Sequence, residues 1–293
     1  MDLLQSLANG LLIGSVYALI AVGLTLVFGV MDIVNFAHGE FLMLGMFGAY
    51  FASTALGIDP LLAAPAIGLV VFALGALIER VIIEPIIKAP PSAQVMATVG
   101  LGLVLANAAA TFFGNDFRSV STPYQTQTIS VLGINLAATY LYAALYALVV
   151  AALLAFFLNR TEFGKAMRAT AQNRGAAVLL GINPKRMYMI AFGLGVGLCS
   201  LAGAVILPYA LAYPTVGQQY ILIMFTVVVL GGLGSVRGAI FAGIAVGLIQ
   251  SLTTLILPTE LQNLVVFLVF IAVLVLIPGG VLARVRSATA ARI

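Results

Sequence analysis

Four polar or ionisable residues lie where the first apolar run ends and the second begins: Asp32, Asn35, His38 and Glu40. In apolar surroundings such groups are costly unless hydrogen bonds, water or a ligand satisfy them. Three interpretations stay open for Asn35, His38 and Glu40. They line the route of a solute or form its gate, they fix a hydrogen-bonded turn, or they relay a proton. For Asp32 we prefer simple exposure at an aqueous surface.

The usual signatures of bond-making chemistry are missing from the sequence. One histidine and one cysteine cannot supply a zinc site built from several such ligands. No complete phosphate-binding loop is present, because Gly164-Lys165 lacks the preceding glycine and is followed by Ala166. The glycine clusters at 193–197 and 231–238 belong to apolar runs and do not follow a strand, as a dinucleotide site requires. We therefore predict no enzyme activity, no metal site and no cofactor bound by this chain.

The polar residues must be positioned by long apolar elements. Hydrophobic residues make up 63% of the chain and charged residues 8%, which excludes a soluble globular domain. At about 20 residues per membrane span, the chain has room for about eight to nine helices. We predict an all-α polytopic membrane protein with a single transmembrane domain over 1–293. The apolar runs fall at 5–30, 36–56, 60–83, 95–114, 139–158, 187–208, 219–233, 238–257 and 262–278.

Basic residues predict how the chain is oriented. Of the 13 lysines and arginines, all except Arg118 fall into one of the two alternating sets of loops. Positive residues stay on the cytoplasmic side, so we predict the N-terminus outside and the C-terminus, with Arg284, Arg286 and Arg292, in the cytoplasm. The runs 36–56 and 219–233 are short or interrupted by glycine, and either could span fully or be re-entrant.

The cytoplasmic loop 159–187 carries a short helix signal and six of the basic residues. Asn173 can cap a helix, and Gly181 can end it in the left-handed conformation. Asn183-Pro184 is typical of the cap and first turn of the next helix. The helix has an apolar face suited to docking of a cytosolic partner, and an ordinary basic loop is the alternative. The face consists of Ala176, Ala177, Leu179 and Leu180.

Further polar and small residues lie on the later runs. Thr98 and Gly100 either contact a solute or pack against neighbouring helices, with packing preferred. Gly232 and Ser235 predict a tight bend that could open backbone groups toward a cavity. The pairs Gly10/Gly14, Gly193/Gly197 and Gly243/Gly247 have a spacing that lets helices approach closely, and we favour packing within the chain over a dimer face.

Four segments together resemble the permease subunit of branched-chain amino-acid ABC importers of the Liv-H type. They are NGLLIGSVYALIAVGLTLVFGVMDIVNFAHGEFLMLGMFGAY at 9–50, IERVIIEPI at 78–86 with TVGLGLVLAN at 98–107, GKAMRATAQNRGAAVLLGINPKRM at 164–187 and VVLGGLGSVRGAIFAGIAVG at 228–247. They cover nearly the whole chain in order. The combination of NFAHG with the basic loop is the specific part of the resemblance.

The resemblance implies a transporter of several subunits in the bacterial cytoplasmic (inner) membrane. Its partners would be a second homologous permease, two cytosolic ATPases that use ATP and Mg²⁺, and a periplasmic substrate-binding protein, with no nucleic acid. The short helix would couple the chain to an ATPase through Asn173, Ala176, Ala177, Leu179, Leu180, Gly181 and Ile182.

The function expected from this resemblance is import of leucine, isoleucine and valine. The candidate route or gate residues are Asn35, His38, Glu40, Thr98, Gly100, Gly232 and Ser235. Import of urea or short amides is an alternative, because related permeases serve them. A secondary transporter that uses His38 and Glu40 and an ion gradient is a second alternative. An intramembrane enzyme is disfavoured, because the single histidine has no paired nucleophile.

Overall fold

The computed structural model describes residues 2–131, 133–258 and 261–276. Nearly all regular structure in these residues is helical, as predicted. The helices are α1 (Asp2–Met31), α2 (His38–Leu56), α3 (Pro60–Ile78), α4 (Glu84–Ile86), α5 (Pro91–Phe113), α6 (Ala138–Arg160), α7 (Glu162–Gln172), α8 (Arg174–Leu179), α9 (Pro184–Ile206), α10 (Val216–Gly231), α11 (Val236–Thr253) and α12 (Gln262–Leu276). A π-helical segment (Glu79–Ile83) joins α3 to α4, and a 3₁₀ turn (Leu207–Tyr209) ends α9. The predicted basic residues at 284, 286 and 292 lie outside the described residues.

Six helical segments in the described residues are long and apolar enough to cross a membrane. They correspond to α1, α3 through α4, α5, α6, α9 and α11. The other three predicted runs form α2, α10 and α12, and the last two have only 16 and 15 residues. The nine complete crossings and the orientation therefore remain predictions.

Glycine determines how closely the central helices pack. Gly10 and Gly14 of α1 lie directly against Gly247 and Gly243 of α11. On α9, Gly197 packs against α3 in the same way. Side chains at these positions would overlap backbone atoms of the neighbouring helix, so only glycine allows the contact. The prediction that the spaced glycines pack helices within the chain is confirmed.

Helices α2 and α10 both begin inside the bundle. After α1 ends at Met31, the chain runs back along it without helical structure through 32–37. His38 then starts α2 beside Gly23, eight residues before the end of α1 and thus about 12 Å back along its axis. Gly39 touches Gly217, the second residue of α10, so the two helix N-termini meet at this depth.

A two-stranded antiparallel hairpin precedes α6 and was not expected in an all-α chain. It pairs β1 (Thr128–Val131) with β2 (Ile134–Ala137). The Gln5 side chain exchanges two hydrogen bonds with the backbone of Asn135 and so fixes the hairpin against the start of α1. In the predicted orientation, this hairpin lies in the extracytoplasmic connection.

Candidate functional site

The structure buries the polar cluster near the start of α2. Asn35 and His38 are 0% exposed and Glu40 is 5% exposed. Asn35 Oδ1 accepts the backbone N–H of Ala37, 3.0 Å away, and so shapes the turn that starts the helix. Asp32 is exposed in the left-handed conformation (φ 57°), in agreement with its predicted exposure. A solute reaches His38 only if the surrounding helices move.

Several polar atoms of this cluster lack hydrogen-bond partners within the described part of the chain. They are Asn35 Nδ2, both imidazole nitrogens of His38, and Glu40 Oε2. A buried polar group without a hydrogen-bond partner destabilises the fold by about 1–3 kcal/mol, so helix packing alone does not explain why polar side chains occupy these positions. Cys199 Sγ donates to the His38 carbonyl at 3.3 Å and connects this turn to α9. The gate predicted for Asn35, His38 and Glu40 is compatible with this closed arrangement, in which several polar atoms have no partner among the described residues.

Thr98 belongs to this cluster and Gly100 does not. The Thr98 hydroxyl lies 3.3 Å from the Val34 carbonyl and 3.0 Å from the Val95 carbonyl, and it fixes the 32–37 segment against α5. No atom lies within 4 Å of the position a Cβ on Gly100 would take. Gly102, two residues later, is instead the α5 position that faces Glu40.

Gly232 and Ser235 form the turn between α10 and α11, away from His38. Gly232 has a φ of 89°, and Ser235 Oγ accepts the Gly238 N–H as the cap of α11. Gly234, between them, packs on Gly29 near the end of α1. Gly29 is six residues from Gly23, which places this turn about 9 Å along α1 from His38. The tight bend is confirmed, whereas contact with the polar cluster is not observed.

The short helix α8 has the caps that the sequence predicts. Asn173 Oδ1 accepts the Ala176 N–H at 3.0 Å, and Gly181 follows the helix with a φ of 79°. Ala177 is buried against the rest of the loop, whereas Leu179 and Leu180 are 89% and 78% exposed. Ile182 is half-buried. Two adjacent leucines on an aqueous surface are unfavourable, unless another protein covers them.

Three contacts connect this loop to the bundle. Asn183 Oδ1 accepts the N–H groups of Lys185 and Arg186 as the cap of α9. The Arg174 guanidinium lies over the Tyr188 ring, 5.5 Å from its centre. Lys185 Nζ forms an ion pair with Glu84 Oε1 at 2.5 Å. A displacement of α8 would therefore act directly on α9 and on the end of α3–α4.

Sequence reasoning missed Glu79 and Glu84 as members of this region. Glu79 begins the π-helical segment, is 1% exposed, and leaves Oε1 without a partner in the described residues. π-Helical turns inside α-helices are frequent at functional sites. The signal was available in IERVIIEP, where two carboxylates interrupt an apolar run just before a proline.

The opposite end of the bundle is fixed by Arg118 and Tyr124. Arg118 donates to Tyr50 Oη at 3.2 Å and to the Phe113 carbonyl, and its backbone pairs with Ala212. Tyr124 donates to Asp59 Oδ1, which also caps α3. Burial, together with the nearby Asp59, raises the pKa of the Tyr124 phenol, so it stays a donor at neutral pH. Arg118 thus has a structural role, in addition to being the exception in the charge pattern.

Comparisons with known proteins identify a family and several relatives of this chain. The family described as "Branched-chain amino acid transport system / permease component" matches residues 6–274. The Salmonella typhimurium high-affinity branched-chain amino acid transport system permease protein LivH is 33% identical over 96% of both chains. The corresponding BraD protein of Pseudomonas aeruginosa is 30% identical over 96% of both chains. A probable branched-chain amino acid transport permease protein LivH of Methanocaldococcus jannaschii is 25% identical over 94% of this chain.

No solved structure matches the chain significantly. The family match extends from α1 into α12 and includes the buried cluster at α2 and the exposed helix α8. The resemblance found in the sequence is therefore confirmed. This chain belongs to the family of branched-chain amino acid transport permease components.

Proposed function

We propose that this chain is the transmembrane permease subunit of an ATP-driven importer for leucine, isoleucine and valine. The observation that carries the proposal is the capped helix α8, which presents Leu179 and Leu180 to the aqueous phase in a membrane protein of this family. The chain has no recognisable nucleotide site of its own, so ATP and Mg²⁺ would be bound by cytosolic partner subunits. A second permease and a substrate-binding protein complete the proposed assembly.

The contacts suggest how ATP hydrolysis is transmitted. An ATPase groove that encloses Leu179 and Leu180 moves α8 when the ATPases close. The Asn183 cap and the Lys185–Glu84 ion pair pass this movement to α9 and to the end of α3–α4. Helix α9 also contacts the His38 carbonyl through Cys199. Reorientation of α9 would then open the buried cluster, which is alternating access.

Import of urea or short amides and transport driven by an ion gradient are the two alternative functions. Urea and short amides would use the same architecture, and the choice among substrates depends on the binding protein. The relatives named above are branched-chain amino acid permeases, which favours leucine, isoleucine and valine. In an ion-gradient transporter His38 would have to exchange protons with water in each transport cycle, yet no ionisable side chain among the described residues is hydrogen-bonded to its ring to pass a proton on. An ATP-driven importer needs no such exchange.

The substrate is tested in cells that lack endogenous branched-chain amino-acid uptake. The complete transporter is expressed with and without this chain, and uptake of radiolabelled leucine is measured. We expect uptake only with the chain, with competition by unlabelled isoleucine and valine. Absence of leucine uptake, together with uptake of radiolabelled urea or acetamide that requires the chain, would instead identify the amide transporter.

A further inference from the structure

A group of tyrosines lies on the side of the polar cluster that faces the start of α1. Tyr17 comes from α1, Tyr140 from α6, Tyr209 from the turn after α9, and Tyr220 from α10. The rings of Tyr140 and Tyr209 are 4.4 Å apart between centres. Tyr17 donates to Gln250 Oε1 of α11 at 2.8 Å. All four phenols are within electrostatic range of one another. Five segments distant in sequence thus converge on one place.

The depth of this group relates it to the closed gate. Tyr17 precedes Gly23 by six residues, which places it about 9 Å from the level of His38 along α1. This displacement is toward the start of α1, the predicted extracytoplasmic side. The group therefore lies between the outer solution and the buried start of α2.

The group is accessible and has unused donors. All four tyrosines are half-buried, in contrast to the fully buried His38. In residues 2–131, 133–258 and 261–276, the hydroxyls of Tyr140, Tyr209 and Tyr220 make no hydrogen bond to protein; Tyr17 is the exception. Tyrosines also gather at membrane surfaces and point to lipid headgroups. Here, instead, the Tyr140 and Tyr209 rings pack on each other and Tyr17 donates to Gln250 of α11.

We propose that Tyr17, Tyr140, Tyr209 and Tyr220 form a binding site for an aliphatic amino acid zwitterion on its way to the gate. The inference rests on the proposed function and names where its substrate binds within this subunit. Phenol hydroxyls donate hydrogen bonds to a carboxylate, and aromatic faces attract an ammonium group. The ring faces also offer apolar contact to a branched side chain. A site of uncharged phenols suits a ligand with no net charge.

The test uses the complete transporter reconstituted in proteoliposomes. Tyr209→Phe and Tyr220→Phe each remove one hydroxyl and keep the ring. Tyr146→Phe is the matched control, because Tyr146 is a half-buried tyrosine of α6 in the apolar groove with Leu61 and Leu145. Radiolabelled leucine uptake is measured over a range of concentrations of the loaded binding protein, together with ATP hydrolysis in the absence of leucine.

We expect leucine uptake to fall roughly five-fold in each of the two site variants, the loss that corresponds to one net hydrogen bond. The control should stay within about two-fold of the unmodified chain, and ATP hydrolysis without leucine should be unchanged in all three. A photoreactive leucine analogue should label the unmodified chain on peptides that contain Tyr209 or Tyr220.

Two outcomes separate this inference from the proposed function. If the unmodified transporter imports leucine and the site variants match Tyr146→Phe, the tyrosine site is wrong and the proposed function stands. If the unmodified transporter hydrolyses ATP but imports no leucine, isoleucine or valine, the proposed substrate is wrong, and so is the site proposed for it.

Discussion

Replacing Leu179 and Leu180 with aspartate should disconnect this chain from its ATPase partner without unfolding it. The two side chains are 89% and 78% exposed, so the folded chain loses little packing when they change. Burial of one leucine in a docking groove contributes about 1.5–3 kcal/mol, and thus about 3–6 kcal/mol for two. At about 1.4 kcal/mol per tenfold change, docking should weaken by roughly 10² to 10⁴. The desolvation of two carboxylates adds to this cost.

The assay measures three quantities in parallel: the amount of chain in the membrane, the ATPase subunits that co-purify with it, and leucine uptake. The amount of chain should stay constant, while co-purification and uptake are lost. Leu56→Asp is a control at the other end of the bundle. Leu56 is the last residue of α2 and is 71% exposed. The Leu56→Asp variant should leave co-purification unchanged. Full co-purification and uptake in the double aspartate variant would refute α8 as the coupling element.

Three further predictions concern orientation, the gate and helix packing. In a cysteine-free background, a cysteine replacing Asp116 should react with an impermeant thiol reagent added outside intact cells, and one replacing Arg174 should not; the reverse would overturn the orientation. His38→Gln should keep measurable ATP-dependent uptake, whereas His38→Leu should lose more, because polar partners in the open gate stay unpaired; equal and complete loss in both would contradict a gate role. Gly45→Leu should lower the free energy of unfolding by more than the roughly 1–3 kcal/mol typical of overpacking, because the new side chain would overlap the backbone of α9. Gly100→Ala should leave the free energy of unfolding nearly unchanged, because no atom lies within 4 Å of the added Cβ.

Local signals in the sequence predicted the short helix of loop 159–187 well. The Asn173 side chain caps the start of α8, and Gly181 ends the helix in the left-handed conformation. The limits of α8 therefore follow from a few neighbouring residues. The glycine spacing on α1 and α11 likewise predicted close packing, although not which helices would pair. Hydropathy located every long helix but could not say that α2 starts beside Gly23, because that depends on the path of 32–37 in three dimensions.

Contacts between distant residues could not be predicted in this way. The ion pair of Lys185 with Glu84 joins the start of α9 to α4, about a hundred residues away in the sequence. The four tyrosines come from four segments, and no single segment carries a pattern that indicates the group. The bend at Gly232 and Ser235 could be predicted from the sequence, but not that this turn packs on Gly29, about 9 Å along α1 from His38.

Uptake by proteoliposomes whose energy source is controlled tests most directly whether this chain couples ATP hydrolysis to import. The purified transporter is reconstituted with its binding protein outside, and radiolabelled leucine entry is followed with ATP and Mg²⁺ enclosed. We predict entry that requires enclosed ATP and is unchanged when a protonophore and a sodium ionophore abolish ion gradients. Leucine entry that needs no ATP and is driven by an imposed proton or sodium gradient would contradict ATP-driven import.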